Sequence, residues 1–173
     1  MKKYIILLRG INVSGKNILP MSDLRQILND LDFQNVQTYI QSGNIILESE
    51  VSKVLICEKI KKAILDKFGF EIPVIGRTIA EWEKAIEEYP FSTANEKIVA
   101  FTFLARIIGS NEIEINNQGA DQFKLNKDVV YVYCPTGFGK SKITNNVFEK
   151  KLQVNATTRN LRTALKLLEL ATQ

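Results

Sequence analysis

VQTYIQSGNIILE, residues 36–48, holds two short β-favouring runs on either side of Gln41-Ser42-Gly43-Asn44. A polar turn containing Ser and Gly between two such runs is the sequence form of a β-hairpin. Reading outward from this hairpin orders the first half of the chain. Upstream, Met21, Leu24, Ile27, Leu28 and Leu31 recur at helical spacing to about residue 32. Pro20 suits the first turn of that helix, where its missing N–H costs nothing. KYIILL (3–8) is a short, continuous apolar run and reads as a buried first strand. Downstream, Val54, Ile60, Ile64, Leu65 and Phe68 mark a second helix ending near Gly69, and IPVIG (72–76) supplies a fourth strand. The resulting order, β-α-β-β-α-β, is the split βαβ pattern of ferredoxin-like folds.

A helix at about 79–89 follows, with Trp82, Ala85, Ile86 and Tyr89 on one side and Pro90 to stop it. PFSTANEK (90–97) then reads as a connection, which divides the chain into residues 1–90 and 91–173. IVAFTFLA (98–105) is a strand, and IGSNEIEINNQGA (108–120) is ambiguous. FKLN and VVYVYC flank Lys127-Asp128 as a second hairpin, and two helical stretches at about 141–152 and 160–171 close the chain. The expected class is therefore α+β, with two ferredoxin-like α/β plaits in tandem.

Composition narrows the chemistry. A chain of 173 residues with 45% hydrophobic and 24% charged residues has ample material for a buried core. No apolar run approaches the ~20 residues that cross a bilayer. The apolar stretch after Lys2 and Lys3 ends at Arg9, too soon for a secretory leader. Cys57 and Cys134 stand alone, which fits reduced thiols and a cytoplasmic location. Histidine is absent, removing the commonest zinc ligand and the usual histidine-based nucleophile systems. No metal or cofactor is expected. Arg9, Lys16 and Tyr39 could support chemistry without a metal, but nothing pairs a nucleophile with a base, so the enzyme question stays open.

The net charge of +4 is unevenly spread. Residues 1–90 balance 12 basic against 12 acidic side chains. From Lys140 onward, Lys140, Lys142, Lys150, Lys151, Arg159, Arg162 and Lys166 face only Glu149 and Glu169. Such an excess attracts phosphates or nucleic acid, or is simply a solvated helix face.

CPTGFGKSK (134–142) imitates a phosphate-binding loop between a strand and a helix. The P-loop spacing G-x-x-x-x-G-K-[ST] places its first glycine where this chain has Cys134, and Gly137 lies at the wrong distance. Gly137-Phe138-Gly139 also echoes the centre of an RNA-binding strand motif, but its flanks fail and Pro135 argues against a central strand. Tyr131 with Tyr133, and Phe101 with Phe103, share strand faces that suit base stacking or, more commonly, core packing. What survives is a tight turn, with Ser141 as a helix cap and Lys140 beside helix-start amides that suit an anion.

A ferredoxin-like sheet brings the end of its first strand to the same edge as the turn joining strands two and three. Arg9, Asn12, Lys16 and Asn17 should therefore meet Gln41, Ser42, Gly43 and Asn44 beside the start of the first helix. These residues can hold a phosphate or carboxylate, or can serve only as caps and turn formers. Near the C-terminus, Thr157 or Thr158 can cap the final helix. Arg159 and Arg162 fall three apart on one helical face, beside Asn160. Arginine there suits either an anion or an internal ion pair.

LLRGINVSGKNILPMSDLRQIL, VQTYIQSGN, PTGFGKSKIT and TTRNLRTALKLLEL occur in that order. Together they resemble the uncharacterised bacterial family known as domain of unknown function 1697, over essentially the whole chain. The resemblance implies the tandem α/β plait and carries no activity, substrate or cofactor. The family's glycine loop looks like P-x-G-x-G-[RK]-S-K, implying that a positive charge suffices where this chain has Lys140. Its last motif resembles T-x-R-N-W, where this chain has Leu161.

The expected function is binding of a small anionic or phosphorylated ligand, a nucleotide among the candidates. Arg9, Asn12, Lys16, Asn17, Gln41, Ser42, Gly43, Asn44, Lys140, Ser141, Arg159 and Asn160 are the candidate ligand residues. The alternative is a nucleic-acid-binding module that uses the basic C-terminal segment, and no membrane partner is expected.

Overall fold

The apolar run after the N-terminus forms strand β1 (Lys2–Leu8), whose residues 4–8 are all buried. A continuous apolar strand is what a sheet covered on both faces requires. The computed structural model describes residues 1–92, 95–109, 113–116 and 119–173. β1 is followed by α1 (Met21–Asp30), β2 (Gln34–Tyr39), β3 (Asn44–Ser49), α2 (Lys53–Phe68) and β4 (Val74–Thr78). The central hairpin is present as expected, and the first four strands form an antiparallel sheet of order β2-β3-β1-β4. Ile5 at the middle of β1 pairs with Ile46 on one side and Arg77 on the other.

Leu24, Ile27 and Leu28 of α1 and Ile56, Ile60 and Ile64 of α2 pack against Tyr4, Ile6, Leu8, Ile45 and Leu47. Each such aliphatic side chain contributes about 1.5–3 kcal/mol on burial. Val54 and Leu65, expected in this stripe, are exposed instead. The buried face runs through 56, 60 and 64, and they fall off it. α2 is capped by the Ser52 hydroxyl, which accepts from the Leu55 N–H at 3.3 Å. Gly69 closes it in the left-handed region with its N–H on Leu65 O. Gly76 sets how closely α2 lies on the sheet: a β-carbon there would sit 2.8 Å from Lys53 Cγ and 3.0 Å from Cys57 Sγ. Pro20 stands at the N-cap of α1 with extended backbone, one position before the first turn where it was expected.

After α3 (Ile79–Glu87), the chain builds β5 (Val99–Leu104), β6 (Gln122–Asn126), β7 (Val129–Tyr133), α4 (Asn145–Leu152), β8 (Ala156–Asn160) and α5 (Leu161–Thr172). The second sheet has order β6-β7-β5-β8 and is again antiparallel. Leu104, Val130 and Val132 pack with Phe148 and Leu152 of α4 on one face. On the other, Phe101 stacks beside Phe103 and meets Tyr131 edge-on at 5.6 Å. Phe101, Phe103 and Tyr131 are fully buried, so these aromatic pairs are core.

The chain divides into two compact units, Met1–Lys84 with Leu167–Gln173, and Ala85–Lys166. The class is α+β: among the described residues, two four-stranded antiparallel sheets and five helices. Two corrections concern the second half. Thr157-Thr158-Arg159-Asn160 belongs to strand β8, not to a helix start, because it pairs with β5 from Leu104↔Ala156 to Ala100↔Asn160. The helix expected at about 141–152 begins only at Asn145, because a single 3-10 turn, Phe138–Lys140, and an extended Ser141 precede it. The ambiguous stretch 108–120 lies partly outside the described residues, as does part of the connection 90–97. The described residues of 108–120 form neither helix nor strand.

Candidate functional site

The Arg9 segment and the Gln41–Asn44 turn do meet. The Leu8 N–H donates to Gly43 O at 2.8 Å, and Asn12 Nδ2 donates to Gln41 O at 2.9 Å. Asn12 also donates to Leu19 O and accepts from the Leu19 N–H through Oδ1. Residues 12–17 fold into a miniature hairpin, with Asn12 N–H on Asn17 O and Lys16 N–H on Val13 O. Asn17 Nδ2 binds Gly10 O, and Asn44 Nδ2 binds Tyr39 O and Ser42 Oγ. Gly43 has a φ of 77°, and a β-carbon on it would lie 2.6 Å from Leu8 Cβ. This edge is thus built, but its asparagines are committed to backbone groups. Arg9 is half-buried and Lys16 is exposed at the hairpin tip.

The second sheet differs from the first at the position that matches Tyr4. In sheet one, Tyr4 pairs with Leu47 and Thr78, and the Tyr4 ring fills the space under α2 with its hydroxyl on Val51 O. In sheet two, the residue in the same pairing is Ala100, between Val132 and Asn160. Thr78 and Asn160 anchor the equivalence, since each caps the helix that follows its strand. Between β3 and α2 there are three residues (50–52), whereas between β7 and α4 there are eleven (134–144), which carry the glycine loop. Over Ala100 this loop leaves a cavity of about 210 Å³. Its walls include Val132, Phe138, Ser141, Ile143, Thr144, Asn145, Thr158 and Asn160.

The polar side chains of this cavity form a directed network. Thr158 Oγ1 donates to Asn145 Oδ1 at 3.0 Å, so Thr102 is the donor in the 2.7 Å contact between the two threonines. Asn145 Nδ2 binds Ala156 O with one of its hydrogens. Ser141 Oγ accepts from both Ile143 N–H and Cys134 Sγ. Burial pushes the Cys134 thiol up, against the Ser141 hydrogen bond, which works to lower it. Asn160 Oδ1 accepts from Thr163 N–H. Among the described residues, the Ser141 and Thr144 hydroxyl hydrogens, one Asn145 amide hydrogen and the Asn160 amide group have no acceptor. Thr144 is the N-cap of α4, yet its side chain makes no cap bond, unlike Ser52 at the corresponding helix start of the first unit. No acidic side chain lines the cavity.

Comparison with known proteins agrees with this architecture. Residues 1–131 match the family described as "Protein of unknown function (DUF1697)". The chain belongs to this family. Among solved structures, it is similar to the conserved bacterial protein SP0830 from Streptococcus pneumoniae. The match has 23% identity and a TM-score of 0.71, and covers 98% of each chain. At that identity the likeness shows a shared fold and nothing of function. A search of the curated proteins finds no match.

Within this DUF1697 chain the candidate residues fall into groups. Arg9, Asn12, Lys16, Asn17, Gln41, Ser42, Gly43 and Asn44 gather at one edge of the first sheet. Ser141 and Asn160 line the cavity of the second unit, with exposed Lys140 next to Ser141 in the chain. Arg159 does not join them. It is buried on the opposite face of β8, with its guanidinium on Thr157 Oγ1 and Thr158 O. Arg162 lies on α5, so the expected two-arginine helical face does not exist. Ser141 does not cap α4, because its oxygen bonds the nearer Ile143 N–H. Thr144, Asn145 and Ala100 were missed by sequence reasoning, and Thr158 was read only as a helix cap. The available signals were an alanine inside an otherwise bulky strand and a β-to-α connection much longer than its counterpart. A wider hollow of about 1400 Å³ is lined by Ile107, Gly109, Ile113, Phe123, Leu125 and Lys151 among others.

Proposed function

We propose that the protein binds a small anionic ligand, carrying a carboxylate or phosphate, in the cavity over Ala100. One observation carries this reading: Ser141, Thr144, Asn145 and Asn160, with donors that meet no acceptor among the described residues, line a single hollow at a helix start whose N-cap side chain makes no cap bond. A fully ionised oxyanion only accepts hydrogen bonds, so donors without internal acceptors are its natural complement. The first turn of α4 adds the positive end of its dipole. Lys140 and Lys142, exposed on the same loop, supply long-range attraction without sitting in the walls. The Arg9 edge supports the reading less, because its asparagines already bond the backbone. Phe101, Phe103 and Tyr131 lend no support to nucleic-acid stacking, because they are buried, and the half-buried Tyr133 ring packs on Phe91.

We also read each unit as a ferredoxin-like plait, supported by the shared strand order and by the β-α-β-β-α-β run of the first unit. Between β5 and β6 the described residues contain no helix, so the second plait is the less complete.

Thr144→Val tests the site cleanly, since it removes a hydroxyl that makes no internal bond and keeps the shape. Wild type titrated with inorganic phosphate should melt at progressively higher temperature. Loss of one hydrogen bond to a charged oxygen should weaken Kd by about 10-fold or more. Equal affinity in the two proteins, or no thermal shift with any phosphate or carboxylate tried, would remove the reading.

A further inference from the structure

The cavity has a polarity gradient that its strand pairings make explicit. Across the floor, Val132 of β7, Ala100 of β5 and Asn160 of β8 lie in one row, and Val130, Thr102 and Thr158 lie in the next. Thr158 and Asn160 therefore stand on the β8 side. Asn145 is tied to that side through Ala156 O and Thr158. Val132 stands on the β7 side, from which the glycine loop departs. Phe138 and Ile143 supply further apolar wall. Phe138 is placed by Gly137, whose φ of 89° and ψ of 157° belong to a region that only glycine occupies readily. A Gly137 β-carbon would meet nothing within 4 Å, so the need for glycine there is one of backbone conformation.

Size limits the occupant. A dry, apolar cavity of about 150 Å³ accommodates benzene. At about 210 Å³ this cavity has room for one such ring and one anionic group. Pockets for drug-sized ligands measure roughly 300–1,000 Å³, so a whole nucleotide would extend out of this cavity through its open side.

Resting on the anion reading above, we propose that the ligand is a small amphiphilic anion. Its one carboxylate or phosphate faces Thr144, Asn145 and Asn160, and its body, about the size of a single ring, lies against Val132, Phe138 and Ile143. The gap left by Ala100 is where that body sits. Ala100 is thus the specificity-determining residue, and Phe138 covers the body from the loop side.

Calorimetric titration of the full chain with inorganic phosphate, phenyl phosphate, benzoate, acetate and adenosine monophosphate tests this. Phenyl phosphate should bind roughly tenfold or more tighter than inorganic phosphate, and benzoate likewise against acetate, because a ring leaves water. The adenosine compound should bind no more tightly than inorganic phosphate. Ala100→Val, which narrows the floor, and Phe138→Ser, which opens the roof on an exposed loop, should each erase the advantage of the ring. The advantage is read within each variant, as the ratio of phenyl phosphate to inorganic phosphate affinity. Should Ala100→Val fail to fold, the wild-type series and Phe138→Ser decide the matter. If inorganic phosphate binds and the ring adds nothing, the amphiphile fails while the anion site stands. Adenosine monophosphate binding tighter than phenyl phosphate would overturn the size limit in favour of a nucleotide. Absence of any binding removes both proposals.

Discussion

Asn12 commits both amide hydrogens and its carbonyl oxygen to the main chain, at Leu19 O, Gln41 O and Leu19 N. It does so with a φ of 53°, in the left-handed region that asparagine tolerates better than most side chains. Two separable contributions follow. Asn12→Gly keeps the backbone accessible and loses the bonds, which should cost about 2 kcal/mol through polar groups left unmatched. Asn12→Ala loses the bonds and also strains the backbone, adding about 1 kcal/mol. Urea denaturation of the two variants checks the order, and an alanine variant no less stable than the glycine one would contradict it. The meeting of this loop with the Gln41–Asn44 turn was legible in sequence because topology alone dictates it. That the asparagine amides would be consumed there was not, since polar loop residues look alike whether they face a ligand or a carbonyl.

Helix α3 starts with a reciprocal cap in which Glu81 N–H donates to Thr78 Oγ1 and Thr78 N–H donates to a Glu81 carboxylate oxygen. Lys53 of α2 closes on the same carboxylate. Partial burial works to raise the Glu81 pKa, but the Lys53 and Thr78 hydrogen bonds outweigh it and hold the group below its ordinary value of 4.5. A carboxyl held low in the fold adds stability above its unfolded pKa and loses it as pH falls through the folded value. Wild type should therefore exceed Glu81→Gln in stability at pH 7, and the gap should close between about pH 5 and pH 3. Denaturation midpoints at pH 7, 5 and 3 read this directly, and a gap that ignores pH would refute it. Elements differed in how far their sequences announced them. β1, β5 and β7 are apolar runs, and α1 and α2 carry periodic stripes, so burial pattern alone reveals them. β8 is Ala-Thr-Thr-Arg-Asn, with no apolar run at all. It is a strand because β5 supplies its hydrogen-bond ladder, and such a tertiary cause is invisible locally.

Over the whole molecule, one strand order is used twice and finished in two ways. Where Tyr4 plugs the first sheet beneath a short, capped helix entry, Ala100 leaves the second hollow beneath a long glycine loop and an uncapped one. Neither half shows this alone. A hollow in a folded protein forfeits contacts its walls would otherwise make, so leaving one open lowers stability. The two sheets should then respond in opposite directions to substitutions at the matched position. Tyr4→Ala opens a void in a filled core and should cost about 3 kcal/mol or more, as aromatic truncations do. Ala100→Val adds two methyl groups and a better strand former to an unfilled site and should gain about 0.5–1 kcal/mol. Chemical denaturation of both variants provides the comparison. If Ala100→Val destabilises as an overpacked core residue would, the space over Ala100 is not a true hollow, and the ligand site loses its floor. If it stabilises the fold while weakening the binding of ring-bearing anions, the second sheet has given up packing for recognition at that one position.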